Sequence, residues 1–441
     1  MGSRGHRRRQ VLTSRWFGFL VLALFTISVT LVEVLRGIRH RPAPVSPNGG
    51  AESPAVSAPK FIPVLQVMTG IDIEPGNRVE LLLNGDGTYP RLWRDLAAAR
   101  HAIAMQMYYT MPGRVADTLA AVLCDRTRAG VRVLLVLDAF GSEPANRSWL
   151  NALRGCGVEL AQVRPLQWYT LHSAANRSHV RAVVIDGHIG YTGGFGIADY
   201  WLGDGRHLDQ WRETNVRFEG PAVSGLQAAF AAAWAEVTGE LLASDAFFPA
   251  AASDIAPVGV DAGLLFTAPT GGSTAAERFV TLAIRGARTR LYIANSYFVP
   301  DAAFRRLLVA AADRGVDVRV LTVSGRTDVK TPWLAGRHYY DELLARGVRI
   351  YEYQPAMMHA KTMVVDGTFA TIGSMNFDNR SMVINDESSL VVMNRGFGAT
   401  MDSVFLDDLR FSKQMTLAER AHRHWWTRLL ERSAAVLTKV L

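Results

Sequence analysis

The chain of 441 residues carries 48 Lys and Arg against 40 Asp and Glu, a formal net charge of +8, and only two cysteines. So few cysteines exclude a disulfide scaffold and any cysteine-rich metal site. The charge is uneven: the first 41 residues sum to +7 and the last 25 to +3, leaving residues 42–416 at −2. A nuclease would be expected to present a basic body to the phosphate backbone, so no nucleic-acid partner is expected.

Residues 1–15 are a basic tail with Arg4, Arg7, Arg8, Arg9 and Arg15. From Trp16 to Val32 no residue is charged, and Arg15 and Arg36 bracket 20 residues. At about 1.5 Å per residue a helix there spans ~30 Å, the thickness of a bilayer core. The expectation is a transmembrane helix over residues 16–35, kept as a single-pass N-terminal anchor in the cell membrane, because no small-residue cleavage site follows closely. Five arginines precede it and three follow (Arg36, Arg39, Arg41), a bias that favours a cytoplasmic N-terminus and a catalytic body outside, with the facing left open. Residues 42–60 hold five prolines among Ala, Ser and Gly and read as an extended linker.

The body divides into two halves, residues 75–240 and 255–412. In the first, a helix is expected to start near Pro90 with Thr88 as its cap. A strand follows from Ile103 to Tyr109, then a helical stretch ending at Ala129-Gly130 and a strand from Val131 to Asp138. The second half repeats this with strands from Arg290 to Tyr297 and Val316 to Val323, and a helical stretch ending at Arg314-Gly315. Apolar strands alternating with helices predict an α/β chain of two α/β/α sandwich halves related by a pseudo-two-fold. Cys124 lies in an apolar helical stretch and reads as a small buried hydrophobe; a bridge to Cys156 is open if the body lies outside the cytoplasm. Residues 417–441 predict an amphipathic C-terminal helix, with Trp426, Leu429, Leu430, Leu437, Val440 and Leu441 at helical spacing. Its apolar face suits either the membrane interface or docking on the body.

Each half carries the same motif. The first reads His179-Val180-Arg181, then Asp186 and Gly193-Gly194; the second reads His359-Ala360-Lys361, then Asp366 and Gly373-Ser374-Met375-Asn376. In extended chain, residues i and i+2 share a face, so each histidine projects with its cation. That is a kit for phosphodiester chemistry. Fixed cations stabilise the charge that builds on phosphoryl oxygens, one imidazole attacks phosphorus, and a second protonates the leaving oxygen. Two histidines doing opposite jobs need different environments, which two facing copies supply. Glu213 and Glu387 lie at similar distances downstream and are candidates to accept from the other ring nitrogen. Asp186 and Asp366 precede Gly187 and Gly367 and suit either a turn or the chemistry.

These motifs resemble the phospholipase D superfamily, whose signature H-x-K-x4-D occurs twice. The stretches Asn295 to Asp301, Gly347 to Tyr353, Met358 to Thr362 and Asn376 to Ser381, with Trp211 to Pro221 in the first half, are similar to the bacterial cardiolipin synthase branch. The resemblance implies that Glu387 pairs with His179 and Glu213 with His359. It implies that Arg181, Lys361, Ser374 and Asn376 hold the phosphate, and that His179 is the nucleophile. Three departures stand in the first half: Arg181 for Lys, Gly196 where Asn is common, and Asn215 where His is common. No P-loop, dinucleotide fingerprint or zinc pattern occurs, so no cofactor and no metal are expected. The implied function is a membrane-anchored phosphatidyltransferase working through a phosphohistidine, with a phospholipid substrate such as phosphatidylglycerol and the bilayer as partner. A hydrolase, transfer to another alcohol, and a lipid-binding protein with a degenerate first site remain as alternatives.

Overall fold

The computed structural model describes residues 53–165, 176–250, 259–269 and 274–436, together with Ser28. The basic tail, the expected transmembrane segment and the start of the linker therefore lie outside the described residues. Among the described residues no helix is long and apolar enough to cross a membrane.

The first half runs α1 (Phe61–Thr69), β1 (Glu74–Leu83), α2 (Asn84–Ala97), β2 (Ala102–Met107), α3 (Arg114–Arg128), β3 (Arg132–Asp138), α4 (Arg147–Gly155) and β4 (Glu159–Val163). It continues with β5 (Ala182–Ile185), β6 (Ile189–Gly193), the short β7 (Trp211–Arg212), β8 (Thr214–Glu219) and α5 (Ala222–Thr238). The second half runs β9 (Val260–Thr267), α6 (Ala275–Gly286), β10 (Arg290–Asn295), α7 (Ala302–Asp313), β11 (Asp317–Val323), α8 (Lys330–His338), α9 (Tyr340–Ala345) and β12 (Arg349–Tyr353). Then come the short β13 (Met357–Met358), β14 (Lys361–Val365), β15 (Phe369–Gly373), β16 (Glu387–Met393) and α10 (Arg395–Leu409). The chain closes with β17 (Ser412–Gln414), α11 (Leu417–Ala421) and α12 (Trp425–Val436).

Among the described residues fifteen strands form one sheet, in the order β17-β12-β11-β10-β14-β15-β16-β9-β1-β8-β6-β5-β2-β3-β4. Apart from β17 the order reads the same outward from the antiparallel β1–β9 seam, which is the pseudo-two-fold that the duplicated motifs predict. Strands such as β2 and β3 are buried on both faces because helices cover the sheet, so their sequences are continuous apolar runs. One core cluster crosses the seam: Phe218, Leu226 and Phe230 of the first half pack with Ile372, Leu390 and Val392 of the second. That shared core, of the order of 1.5–3 kcal/mol per fully buried large aliphatic side chain, fixes how the halves meet.

Three expectations are corrected and one left open is narrowed. The helix expected near Pro90 begins at Asn84, with Pro90 inside it. Gly85 lies in its first turn, where a Cβ would collide with Trp201 O. The linker is not free to residue 60: Val56 is buried, and α1 inserts Phe61 and Leu65 into the core of the second half. The body thus starts some twenty residues before position 75. Residues 417–436 are two helices, not one, broken at His422-Arg423-His424. Finally, of the two settings open for the apolar face of α12, docking on the body is not taken by its large residues: the helix packs through Glu431, buried among Arg337, Arg420 and Arg423, and through Ala434 and Ala435, while Trp425 is 64% exposed beside Trp426, Leu429 and Leu430.

Candidate active site

Both motifs sit on the extended lead-in to a strand rather than inside it. His179 and Arg181 precede β5; His359 precedes β14, of which Lys361 is the first residue. Val180 and Ala360 point into apolar cores, which turns each histidine and its cation to the opposite face. The lead-ins are tied to the other half. His179 N donates to Asp386 O at 3.0 Å, and Asp386 N donates to Arg177 O at 3.0 Å. His359 N donates to Arg212 O at 2.7 Å, alongside the parallel pairing of β13 with β7. Each histidine therefore lies next to the acidic segment of the opposite half.

The side chains complete the crossing. His179 Nδ1 lies 2.9 Å from Glu387 Oε2 and 3.0 Å from Oε1, and His359 Nδ1 bonds Glu213 Oε2. Both pairings are those the resemblance implies. Each carboxylate fixes a ring so that Nε2 faces the space between the halves. Glu387 is held in turn by Ser374 Oγ, which donates to Oε2 at 2.5 Å; Glu213 accepts from Thr214 N at 3.0 Å and from Trp201 Nε1 at 3.2 Å.

The two cations differ. Arg181 is 1% exposed, its Nη1 lies 3.1 Å from His179 Nε2, and its Nε is buried without a hydrogen-bond partner. Lys361 Nζ donates to His359 O. Burial, with Arg181 and Glu213 acting in opposite directions, brings the Lys361 ammonium down to about 7. Burial also pushes the Glu387 carboxyl up to about 8 and raises that of Glu213. Both imidazoles fall well below their ordinary range, through burial first and then through the two cations. This environment favours neutral histidines.

The remaining expected residues divide. Ser374 belongs to the site, but through Glu387. Asn376 Oδ1 accepts from Ser296 Oγ at 3.0 Å, inside the same buried pocket wall. Asp186 and Asp366 do not join the histidines, and their grouping with the catalytic residues is corrected. Both adopt φ of 52°, a left-handed conformation that Asp tolerates. Asp186 accepts from the backbone N–H groups of Arg100, His101 and Ala102, and Asp366 from those of Arg288, Thr289 and Arg290. Each pins the start of the next strand, β2 or β10, against its own hairpin.

The motif search passed over several residues. The Tyr108 ring lies 4.8 Å from that of His179, edge to face, with Arg181 over its face at 5.9 Å. Tyr297, whose counterpart after β2 is Tyr109, bears electrostatically on Arg181, and Arg380 on His179. Trp201 and Trp211 flank His359 at 5.4 and 4.8 Å. Aligning the halves would have found Tyr109 and Tyr297, which occupy matching positions after matching strands.

Residues 280–409 match a family model described as cardiolipin synthase, PLD-like domain. The chain is similar to the cardiolipin synthase of Geobacillus kaustophilus (strain HTA426), 32% identical over 389 residues that cover 87% of this chain and 77% of the relative. Similarity to cardiolipin synthase A of Pseudomonas putida (strain GB-1) is 31% over 391 residues, covering 88% and 80%. In fold, it is similar to phosphatidylserine synthase of Haemophilus influenzae Rd KW20, with a TM-score of 0.63 at 11% identity over 87% of this chain and 100% of that one. It is also similar to polyphosphate kinase from Porphyromonas gingivalis, at TM-score 0.53 and 13% identity over 85% and 52%. At such identities the last two likenesses concern the fold alone.

Proposed function

Because this chain belongs to the cardiolipin synthase family of phospholipase D-like enzymes and is a phospholipid phosphatidyltransferase, we propose that it joins two phosphatidylglycerol molecules into cardiolipin and releases glycerol. The observation that carries the mechanism is the pair of crossed His–Glu contacts with Arg181 and Lys361 between them.

In the first step His179 Nε2 attacks the phosphorus of one phosphatidylglycerol. The bond to the glycerol oxygen breaks, and that oxygen takes a proton from His359. In the second, His359 removes the proton from a hydroxyl of another phosphatidylglycerol, whose oxygen displaces His179 from phosphorus. Arg181 and Lys361 stabilise the phosphoryl oxygens, with Asn376 on the same wall. The contact between Arg181 and His179 supports this division of labour. A guanidinium stays protonated, so the Nε2 it approaches must offer a lone pair rather than a proton. Substrate phosphate draws the guanidinium to its own oxygens and frees that lone pair for attack. His359, contacted at Nδ1 by Glu213, keeps Nε2 for the proton.

The enzyme is membrane-associated. Residues 16–35 are proposed as its single-pass anchor, with the outward Trp425, Trp426, Leu429 and Leu430 suiting a bilayer interface. The Cys124–Cys156 disulfide supports placing the body outside the cytoplasm, in line with the arginine bias around the anchor. Incubating the purified full chain with labelled phosphatidylglycerol in mixed micelles tests the proposal. Cardiolipin with equimolar glycerol is expected; phosphatidic acid, or no product, would overturn it.

A further inference from the structure

Six residues after the glycine that ends β6 or β15 (Gly193, Gly373) the halves part company. In the first half Asp199–Trp201 forms a tight 3-10 turn pressed against the start of α3. Asp199 accepts from Val115 N at 3.0 Å and Arg114 N at 3.2 Å, and buried Trp201 packs against Trp211 and His359. In the second half the corresponding chain widens into a π turn, Arg380–Ile384. Helix α7 is capped from within, Asp301 accepting from Phe304 N at 2.8 Å. Between the π turn and helices α6 and α7 lies an open cleft of about 370 Å³, lined by Val280, Val299, Ala303, Leu307, Phe377 and Met382 with Asp378 and Arg306 among them. Its size and its largely apolar lining with a few polar groups are those of a ligand pocket.

The chain that lines the cleft runs on from the candidate active site, and Phe377 N donates to Asn295 Oδ1 at 3.0 Å. Phe377 follows Asn376 directly, and Val299 lies two residues beyond Tyr297. Arg380, whose charge bears on His179, is two residues from Met382. A ligand with an anionic group at His179 and an apolar arm passing Arg380 would reach the cleft. We infer that it receives one fatty acyl chain of the phosphatidyl group that His179 takes up. The inference rests on the proposed function and adds a substrate subsite to the second half; the matching cleft of the first half, beside Asp199 and Leu202, is lined by Asp86, Arg114, Asp209 and Gln210 and is polar. It also gives the donor lipid a direction: chain toward the π turn, leaving group toward His359 and its tryptophans.

The test compares phosphatidylglycerol carrying two sixteen-carbon chains with the same lipid carrying two six-carbon chains, using the full chain and the variants Ala303→Trp and Leu307→Trp. Donor consumption is the readout. Since burying two methylenes is worth about tenfold, kcat/KM for the long-chain donor should fall at least about tenfold, and that for the short-chain donor should stay within about twofold. Equal losses on both donors, or none on either, would overturn the inference. If neither variant folds, the unaltered protein is photolysed with phosphatidylglycerol bearing a diazirine on its acyl chain. Adducts within residues 298–307 or 377–383 support the cleft, and adducts confined to other segments refute it. Product identity is scored separately, so phosphatidic acid in place of cardiolipin would sink the proposed reaction while leaving the chain-length result standing.

Discussion

In the second half the hydroxyl of Ser374 holds Glu387; in the first, Gly194 stands at the matching position and the indole of Trp201 reaches Glu213 instead. The glycines are the space that Trp201 requires. A Cβ on Gly194 would collide with Glu213, and one on Gly196 would lie 2.8 Å from the Trp201 ring. Asn215, another departure, accepts from Gly194 N and Phe195 N and donates to Thr88 Oγ, so it fixes the turn that the glycines make. The first half is not a decayed copy of the second. It reaches the same end, a buried glutamate aimed at the opposite histidine, with a different set of side chains. The lesson is that a departure from a motif must be read with the residue that fills the vacated space.

The comparison breaks most visibly at the histidines. His179→Ala should abolish turnover and form no adduct, while His359→Ala should lose about 10⁴-fold in kcat, since both steps lose their proton carrier, and any adduct it still forms should sit on His179. Mass spectrometry of acid-labile adducts from labelled lipid distinguishes them; an adduct on His359 in His179→Ala would reverse the roles of the halves. Next come the groups that hold the glutamates. Ser374→Ala and Trp201→Phe each remove one donor and should each cost about 10- to 100-fold in kcat, with KM little changed. A loss in one alone would show that only one histidine depends on its orienting pair.

The cations give a smaller, pH-dependent contrast. With Lys361 down at about 7, kcat/KM should fall about tenfold per unit above pH 7 as the free enzyme loses that proton. Lys361→Arg should flatten this limb, because a guanidinium holds its charge there, as Arg181 does in the first half. From pH 7 upward to the ordinary lysine range, the contribution of this group to stability rises, since the unfolded chain holds a proton that the folded one has released. An alkaline limb that persists in Lys361→Arg would assign it to another group. The smallest effect on activity concerns the disulfide, which ties α3 to the end of α4 in the first half alone. Replacing both cysteines by serine should cost about 3 kcal/mol in denaturant unfolding and leave kcat within about twofold.

Much of this molecule is legible without coordinates. The alternation of apolar strands and helices, the doubled motif, and the glycines closing α3 and α7 at Gly130 and Gly315 follow from short-range rules. A period of two or 3.6, or a positive φ, is decided within a few residues of chain. The resemblance supplied the crossing of Glu213 and Glu387, which no local pattern contains. Other features belonged to the tertiary structure alone. Asp186 and Asp366 look like members of the chemistry until β2 and β10 bring their backbone amides within reach. Whether Cys124 meets Cys156 depended on how α3 packs beside α4. The buried Glu431 of α12, the exchange of Ser374 for Trp201, and the cleft beside the π turn each join residues far apart in the chain. Such contacts are fixed by the summed geometry of fifteen strands and their covering helices, a sum that no window of sequence holds.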